Sequence, residues 1–213
     1  MKITDHVQEN AFGYKVNYRM YVPENGSKNF MIFLHGIGER GAVDGSQLNL
    51  LEKNVGYPKF AGQGREFPFN IIAPQVPTGG SYSLYKKFLV PYVKLKYGAE
   101  KIIVTGLSMG GIATYEIVLM DDMGLIDAIA PICGRISASL AANYPELDVW
   151  AWHGDKDTTV PLKYDQYFVD AYNATHTKQI KLTVLPGVGH DAWTPAYNSP
   201  ELYQWFLERF SDS

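Results

Sequence analysis

Ser108 stands in Gly106-Leu107-Ser108-Met109-Gly110-Gly111, a G-x-S-x-G pattern between the apolar run 101–105 and a helical stretch. A serine hydroxyl attacks a carbonyl only when a neighbouring base takes its proton. A sharp strand–turn–helix lifts the hydroxyl above a sheet, and Gly106 and Gly110 remove the side chains that would collide across that turn. Ser108 is therefore the candidate nucleophile. The chain offers five histidines as its base: His6, His35, His153, His176 and His190. His190 lies in Pro186-Gly187-Val188-Gly189-His190-Asp191-Ala192-Trp193, a glycine-rich loop after the last β-type run, able to bend back toward the nucleophile. His153 ends an earlier run and reads as packed or bonded to its own loop, and His176, in a polar segment, as exposed.

An acid must accept the Nδ1–H of that base, fixing its tautomer and stabilising the imidazolium. The loop His153-Gly154-Asp155-Lys156-Asp157-Thr158-Thr159-Val160-Pro161 supplies two, Asp155 and Asp157, which loop position alone does not separate. Negative charge developing on the attacked oxygen needs backbone N–H donors. The amide of Met109, at the helix start, is one. The other is expected from Leu34-His35-Gly36-Ile37-Gly38-Glu39-Arg40-Gly41, with Ile37 as donor and Glu39 and Arg40 either orienting that loop or standing as surface charges.

The elements that must position these residues follow from hydrophobic periodicity. Tyr14, Val16, Tyr18, Met20 and Val22 alternate with polar neighbours, as in a half-buried antiparallel strand, and 23–27 is a turn. The runs 30–34, 70–73, 101–105, 128–132, 149–152 and 180–185 read as strands, several of them apolar at nearly every position, as strands covered on both faces are. Helical stretches are expected at about 46–54, 83–97, 109–121, 161–175 and 199–210. Such alternation predicts an α/β fold: one mostly parallel sheet with an antiparallel N-terminal strand and helices on both faces. Sites in such sheets form at the carboxyl ends of strands, where the residues above fall.

The 213 residues carry a net charge of −3, 46% hydrophobic and 19% charged residues, which predicts a single globular domain over 1–213. With 19 Lys and Arg against 22 Asp and Glu there is no basic excess for nucleic acid, and Lys86, Lys87, Lys94 and Lys96 read as a solvated helix face. No apolar run approaches the roughly 20 residues of a membrane span. Met1 to His6 lacks the apolar core of a signal peptide, so the expectation is a cytoplasmic protein, or a secreted or periplasmic one if a signal was removed before numbering. The lone Cys133 has no intrachain partner and reads as a small buried hydrophobe.

Several motifs together resemble the α/β-hydrolase superfamily, and within it the compact carboxylesterases of the phospholipase/carboxylesterase-like, feruloyl-esterase-like and "predicted peptidase" groups. They are 35–41, Ala73-Pro74-Gln75, 106–111, 153–161 and Gly187-Val188-Gly189-His190. The family pattern H-G-x-x-D-x-x-V-P implies that Asp157 is the triad acid. The resemblance also implies ester hydrolysis with no metal or organic cofactor, and a small-molecule or carbohydrate-linked ester as substrate. Relatives often carry a Trp where this chain has Gly80-Ser81-Tyr82, and Cys-Gly-Gly where it has Cys133-Gly134-Arg135. Dienelactone hydrolases place a cysteine at the elbow where this chain has Ser108. Gln75, Tyr82, Arg135 and Trp193 are the expected substrate contacts, with Trp193 and Tyr197 forming either a stacking wall or a loop anchor. A peptidase or thioesterase would use the same triad, and a binding module could reuse the scaffold without catalysis. Only about 16 residues, 133–148, lie where lids are often inserted, which predicts an open site with no cap domain.

Overall fold

A computed structural model describes residues 1–211. Eight strands form one sheet: β1 (Lys2–Ala11), β2 (Tyr14–Val22), β3 (Asn29–Leu34), β4 (Asn70–Gln75), β5 (Lys101–Leu107), β6 (Ala128–Ile132), β7 (Asp148–Gly154) and β8 (Lys181–Leu185), in the order β1-β2-β4-β3-β5-β6-β7-β8. β1 pairs with β2, and β2 with β4, antiparallel; every other pairing is parallel. Among the described residues six helices accompany the sheet: α1 (Tyr57–Gly62), α2 (Tyr85–Tyr97), α3 (Met109–Val118), α4 (Lys163–Asn173), α5 (Trp193–Asn198) and α6 (Pro200–Ser211).

The period of two along β3 divides the core. Phe30, Ile32 and Leu34 face one hydrophobic cluster with Phe88 of α2, Tyr115 of α3 and Phe168 of α4, while Met31 and Phe33 face another with Tyr57 of α1 and Leu202 and Phe206 of α6. Helices thus cover both faces, and β3 and β5 are buried almost throughout.

The antiparallel N-terminal part has two strands rather than one, because β1 lies outside β2 at the sheet edge. The stretch expected to be helical at 46–54 holds only a 3-10 segment, Leu48–Glu52, followed by the short α1 with proline in its first turn. The connection 133–147 carries one 3-10 segment, Ala138–Asn143, and no cap domain. No helix among the described residues is long and apolar enough to cross a membrane.

Candidate active site

β5 lies at the centre of the sheet, and Ser108 follows it directly. Its φ of +54° is the left-handed conformation that non-glycine residues rarely adopt, held here by a hydrogen bond from its amide to the Ile132 carbonyl (3.0 Å) and by α3 starting at the next residue. Two strands across, the loop after β7 brings Asp157, and the loop after β8 brings His190. Gly154 permits the close approach of those two loops, since a Cβ there would overlap the carbonyls of Val188 and Gly189. Asp155 accepts from the amide of Gly187 (2.7 Å) and Lys156 donates its amide to the Val188 carbonyl (2.9 Å), so Asp155 anchors the histidine loop.

Asp157 faces the ring. Its Oδ1 accepts from the amides of Thr159 and Val160, both at 2.9 Å, and its Oδ2 lies 2.7 Å from His190 Nδ1. An ionised carboxylate only accepts, so Nδ1 carries the proton and Nε2 presents its lone pair. Ser108 Oγ lies 2.8 Å from that Nε2. The Asp157 side chain is fully buried, whereas Ser108 and His190 are partly open to solvent. Sequence position left Asp155 and Asp157 open; these contacts separate them.

Met109 and Ile37 each occupy the first position of a helical turn, Met109 in α3 and Ile37 in the 3-10 turn Ile37–Glu39. Amides there have no acceptor within the helix. His35 fixes the peptide that carries the Ile37 amide. Its Nε2 accepts from the Val76 amide (2.9 Å), so Nδ1 bears the proton and donates to the Gly36 carbonyl (2.6 Å). In a trans peptide the C=O and the following N–H point oppositely, so holding Gly36 O sets the direction of Ile37 N–H. Burial lowers the pKa of His35 to about 4 and keeps it in this neutral form. Glu39 is not a surface charge: it is buried, with Oε2 accepting from the Gly36 amide (2.8 Å), and burial raises its pKa to about 7. Arg40 does not pair with it, and reaches Met109 Sδ at 3.2 Å instead.

The expected substrate contacts divide. Gln75 is a correction: it is 2% exposed, and its amide donates to the carbonyls of Glu39 and Gln47, tying the loop to the sheet. Tyr82 is another, being buried with its hydroxyl donating to the His35 carbonyl. Both sequence positions lie beside the site, but burial turns their side chains into supports. Trp193 stands edge-on to the His190 ring, centroids 5.4 Å apart, and is half-buried. Tyr197 is an anchor rather than a wall, buried beneath Phe33 and bonded to Thr105. Arg135 is exposed in a cleft of about 380 Å³ with Ile112, Glu116, Ile136, Ser137 and Tyr164. The Ile112 amide bonds the Ser108 carbonyl, so that cleft begins one helical turn from Ser108.

Cys133 is fully buried, as its hydrophobic reading expects, and its thiol gathers with Asp157 and His190 within 4.8 Å. The trio fits a metal poorly. The ligand atoms of Asp157 and His190 are committed to each other, and burial pushes the Cys133 thiol up, away from the thiolate a metal binds. His176, expected to be exposed, is half-buried and stacks on Tyr172 at 4.0 Å. His153 is packed and bonded to its own loop as the sequence suggests, its Nε2 lying 2.7 Å from the Val160 carbonyl oxygen, and it also lies 3.4 Å from Asp157 Oδ2; its buried partner Asp165 carries no signal in the sequence.

No family model matches the chain, and comparison with curated proteins finds no matching relative. Solved structures do match. A thermostable esterase superposes with a TM-score of 0.73 at 24% identity over 97% of this chain, which spans 62% of that protein's length. Thermogutta terrifontis esterase 2, solved phosphorylated by paraoxon, gives 0.65 at 16% identity, covering 97% of this chain and 90% of its own. A truncated carbohydrate esterase from gut microbiota gives 0.67 at 16% identity, covering 98% and 97%. The strand order, the helices on both faces and these superpositions establish the α/β-hydrolase fold.

Proposed function

We propose that this protein is a serine hydrolase cleaving carboxylic esters through Ser108, Asp157 and His190. The observation that carries the reading is the unbroken pair of hydrogen bonds from Ser108 Oγ to His190 Nε2 and from His190 Nδ1 to Asp157 Oδ2. Ser108 Oγ attacks the ester carbonyl while Nε2 takes its proton, and Asp157 stabilises the resulting imidazolium. The amides of Met109 and Ile37 receive the oxyanion. The ring then protonates the departing alcohol, and water activated by the same nitrogen releases the acid from Ser108.

The short connection 133–147 favours an open site, suited to an ester projecting from a bulky or carbohydrate alcohol and to small dissolved esters. Trp193 and Arg135 are the side chains placed to meet substrate beyond the reacting atoms. The esterase names of the structural neighbours agree with this reading.

The test is hydrolysis of p-nitrophenyl acetate by the protein and by Ser108→Ala, with a loss on the order of 10⁴–10⁶ in turnover expected. Paraoxon should add one diethylphosphoryl group at Ser108, seen as a mass shift absent from the variant. Retained hydrolysis in the variant defeats the assignment. Esters, thioesters and anilides sharing one acyl group then rank the bond types.

A further inference from the structure

The polar network does not end at Asp157. His153, at the end of β7, has a fully buried side chain. Its Nε2 lies 2.7 Å from the Val160 carbonyl oxygen, which can only accept, so Nε2 carries a proton. Its Nδ1 lies 2.9 Å from Oδ2 of Asp165, a buried aspartate of α4 whose Oδ1 accepts from the Tyr115 hydroxyl of α3. The proton between Nδ1 and Oδ2 can rest on either atom. Burial raises the pKa of Asp165 and so favours the proton on its carboxyl, but three neighbours favour the ring: the Tyr115 hydroxyl stabilises a carboxylate at Asp165, the Val160 carbonyl favours a positive Nε2–H, and Asp157 Oδ2 sits 3.4 Å from that same nitrogen. The remaining titratable groups facing this cluster are His190 beyond Asp157 and the Cys133 thiol at the end of β6, with Tyr144 packed on Tyr115.

We infer that His153 is carried as a buried imidazolium held by Asp165, and that its charge beside Asp157 sets the pH at which His190 becomes available as a base. Asp157 Oδ2 is then shared between two imidazole rings, one the base and one a fixed cation. A cation there draws on the carboxylate that would stabilise protonated His190, so the base gives up its proton at lower pH than with a neutral neighbour. Burial alone would strip His153 of its proton, but the hydrogen bond and charge of Asp165, the Val160 carbonyl and the charge of Asp157 outweigh it and raise its pKa. His153 is on this account a positioning residue. It touches no reacting atom and acts through Asp157. As a statement about the triad it rests on the function proposed above.

The test uses protein labelled with ¹⁵N at histidine. Both ring nitrogens of His153 should show protonated shifts from about pH 6 to pH 9; an unprotonated Nδ1 at pH 7 overturns the inference. Asp165→Asn keeps the shape but withdraws the partner charge, leaving a neutral ring. In that variant the His190 titration followed by the same spectra, and the acid limb of kcat/KM, should both move upward by about half a unit to one unit. A limb that stays in place while activity or stability drops shows a merely structural role and also overturns it. Should Asp165→Asn fail to fold, the wild-type spectra still decide the charge. A protein that hydrolyses no ester would defeat the proposed function alone, because the two NMR readings need no substrate.

Discussion

Gly110 of α3 lies against the end of β3 so closely that a Cβ on it would overlap the carbonyl oxygen of Leu34. This one contact joins the turn that raises Ser108 to the loop that carries Ile37. Gly110→Ala cannot be relieved by a rotamer change, because the obstacle is backbone, so β3 and α3 must separate. The expected cost is about 2–4 kcal/mol, a fall in Tm of roughly 5–15 °C, with hydrolysis falling more than the folded fraction. Gly38→Ala is the control: its Cβ would meet only Lys53 Nζ, at 3.7 Å, and thermal denaturation should hardly change.

Asp157→Asn separates positioning from packing. The carbonyl of the introduced amide can still accept from the backbone N–H groups of Thr159 and Val160, so the fold should hold within a few degrees of Tm. Its amide nitrogen would then face His190 Nδ1 as a donor, moving the ring proton to Nε2. A ring protonated there cannot accept from Ser108. Turnover of p-nitrophenyl acetate should drop by about 10³–10⁴ at neutral pH. A drop of less than tenfold would show that the His190 tautomer is set elsewhere.

How far the sequence announces all this depends on what each residue is asked to do. Ser108 and His190 are legible because each follows a β-type run within a glycine-bearing loop, and topology obliges such loops to share one end of the sheet; the same reasoning reaches only the pair Asp155 and Asp157, and the choice of Asp157 comes from the family resemblance. β1 is not legible: Ile3 and Val7 are 41% and 45% exposed, and a register shift between His6 and Glu9, with Gln8 at φ +53°, breaks the alternation. Gln75 and Tyr82 mislead because neighbourhood to a site is readable from position, whereas the direction of a side chain depends on packing against residues remote in the chain. Asp165 leaves no local signal, since its partners Tyr115 and His153 come from two other elements.

Two buried groups of the Ile37 loop pull stability in opposite directions with pH. His35 has its pKa lowered by burial to about 4, below the ordinary 6.5, so the unfolded chain binds more protons between those values and stability rises with pH across that window. Glu39 is raised by burial to about 7 from 4.5, so the folded chain binds more protons and stability falls as pH rises from about 4.5 to about 7. Each effect is about 3 kcal/mol, and between pH 4.5 and 6.5 they largely offset one another. Glu39→Gln retains an acceptor for the Gly36 amide and removes one of the two. Urea unfolding should find the variant gaining on the wild type by about 2 kcal/mol or more between pH 5 and pH 8. A constant difference across that range would mean that Glu39 is ionised in the folded protein throughout.

Arg135 has no acidic group within 4 Å among the described residues, and its cleft starts beside the Ser108 turn, with Tyr164 and Ile112 as apolar walls and Ser137 on the rim. The carboxylate of Glu116 in the same cleft is paired with Lys86, which leaves the guanidinium as the unbalanced charge there. A substrate carrying a carboxylate on its acyl or alcohol part should gain from that charge, while a neutral ester of the same shape should not. Because Arg135 is solvent-exposed the gain is modest, about 1 kcal/mol or less, a few-fold in kcat/KM. The measurement is the ratio of kcat/KM for a half-ester of a dicarboxylic acid to that for its neutral diester, in the protein and in Arg135→Ala. The ratio should fall about two- to fivefold in the variant at low salt, and the difference should shrink as ionic strength screens it. Equal ratios in the two proteins would place the bound acyl and alcohol groups away from this cleft, on the Trp193 side of Ser108.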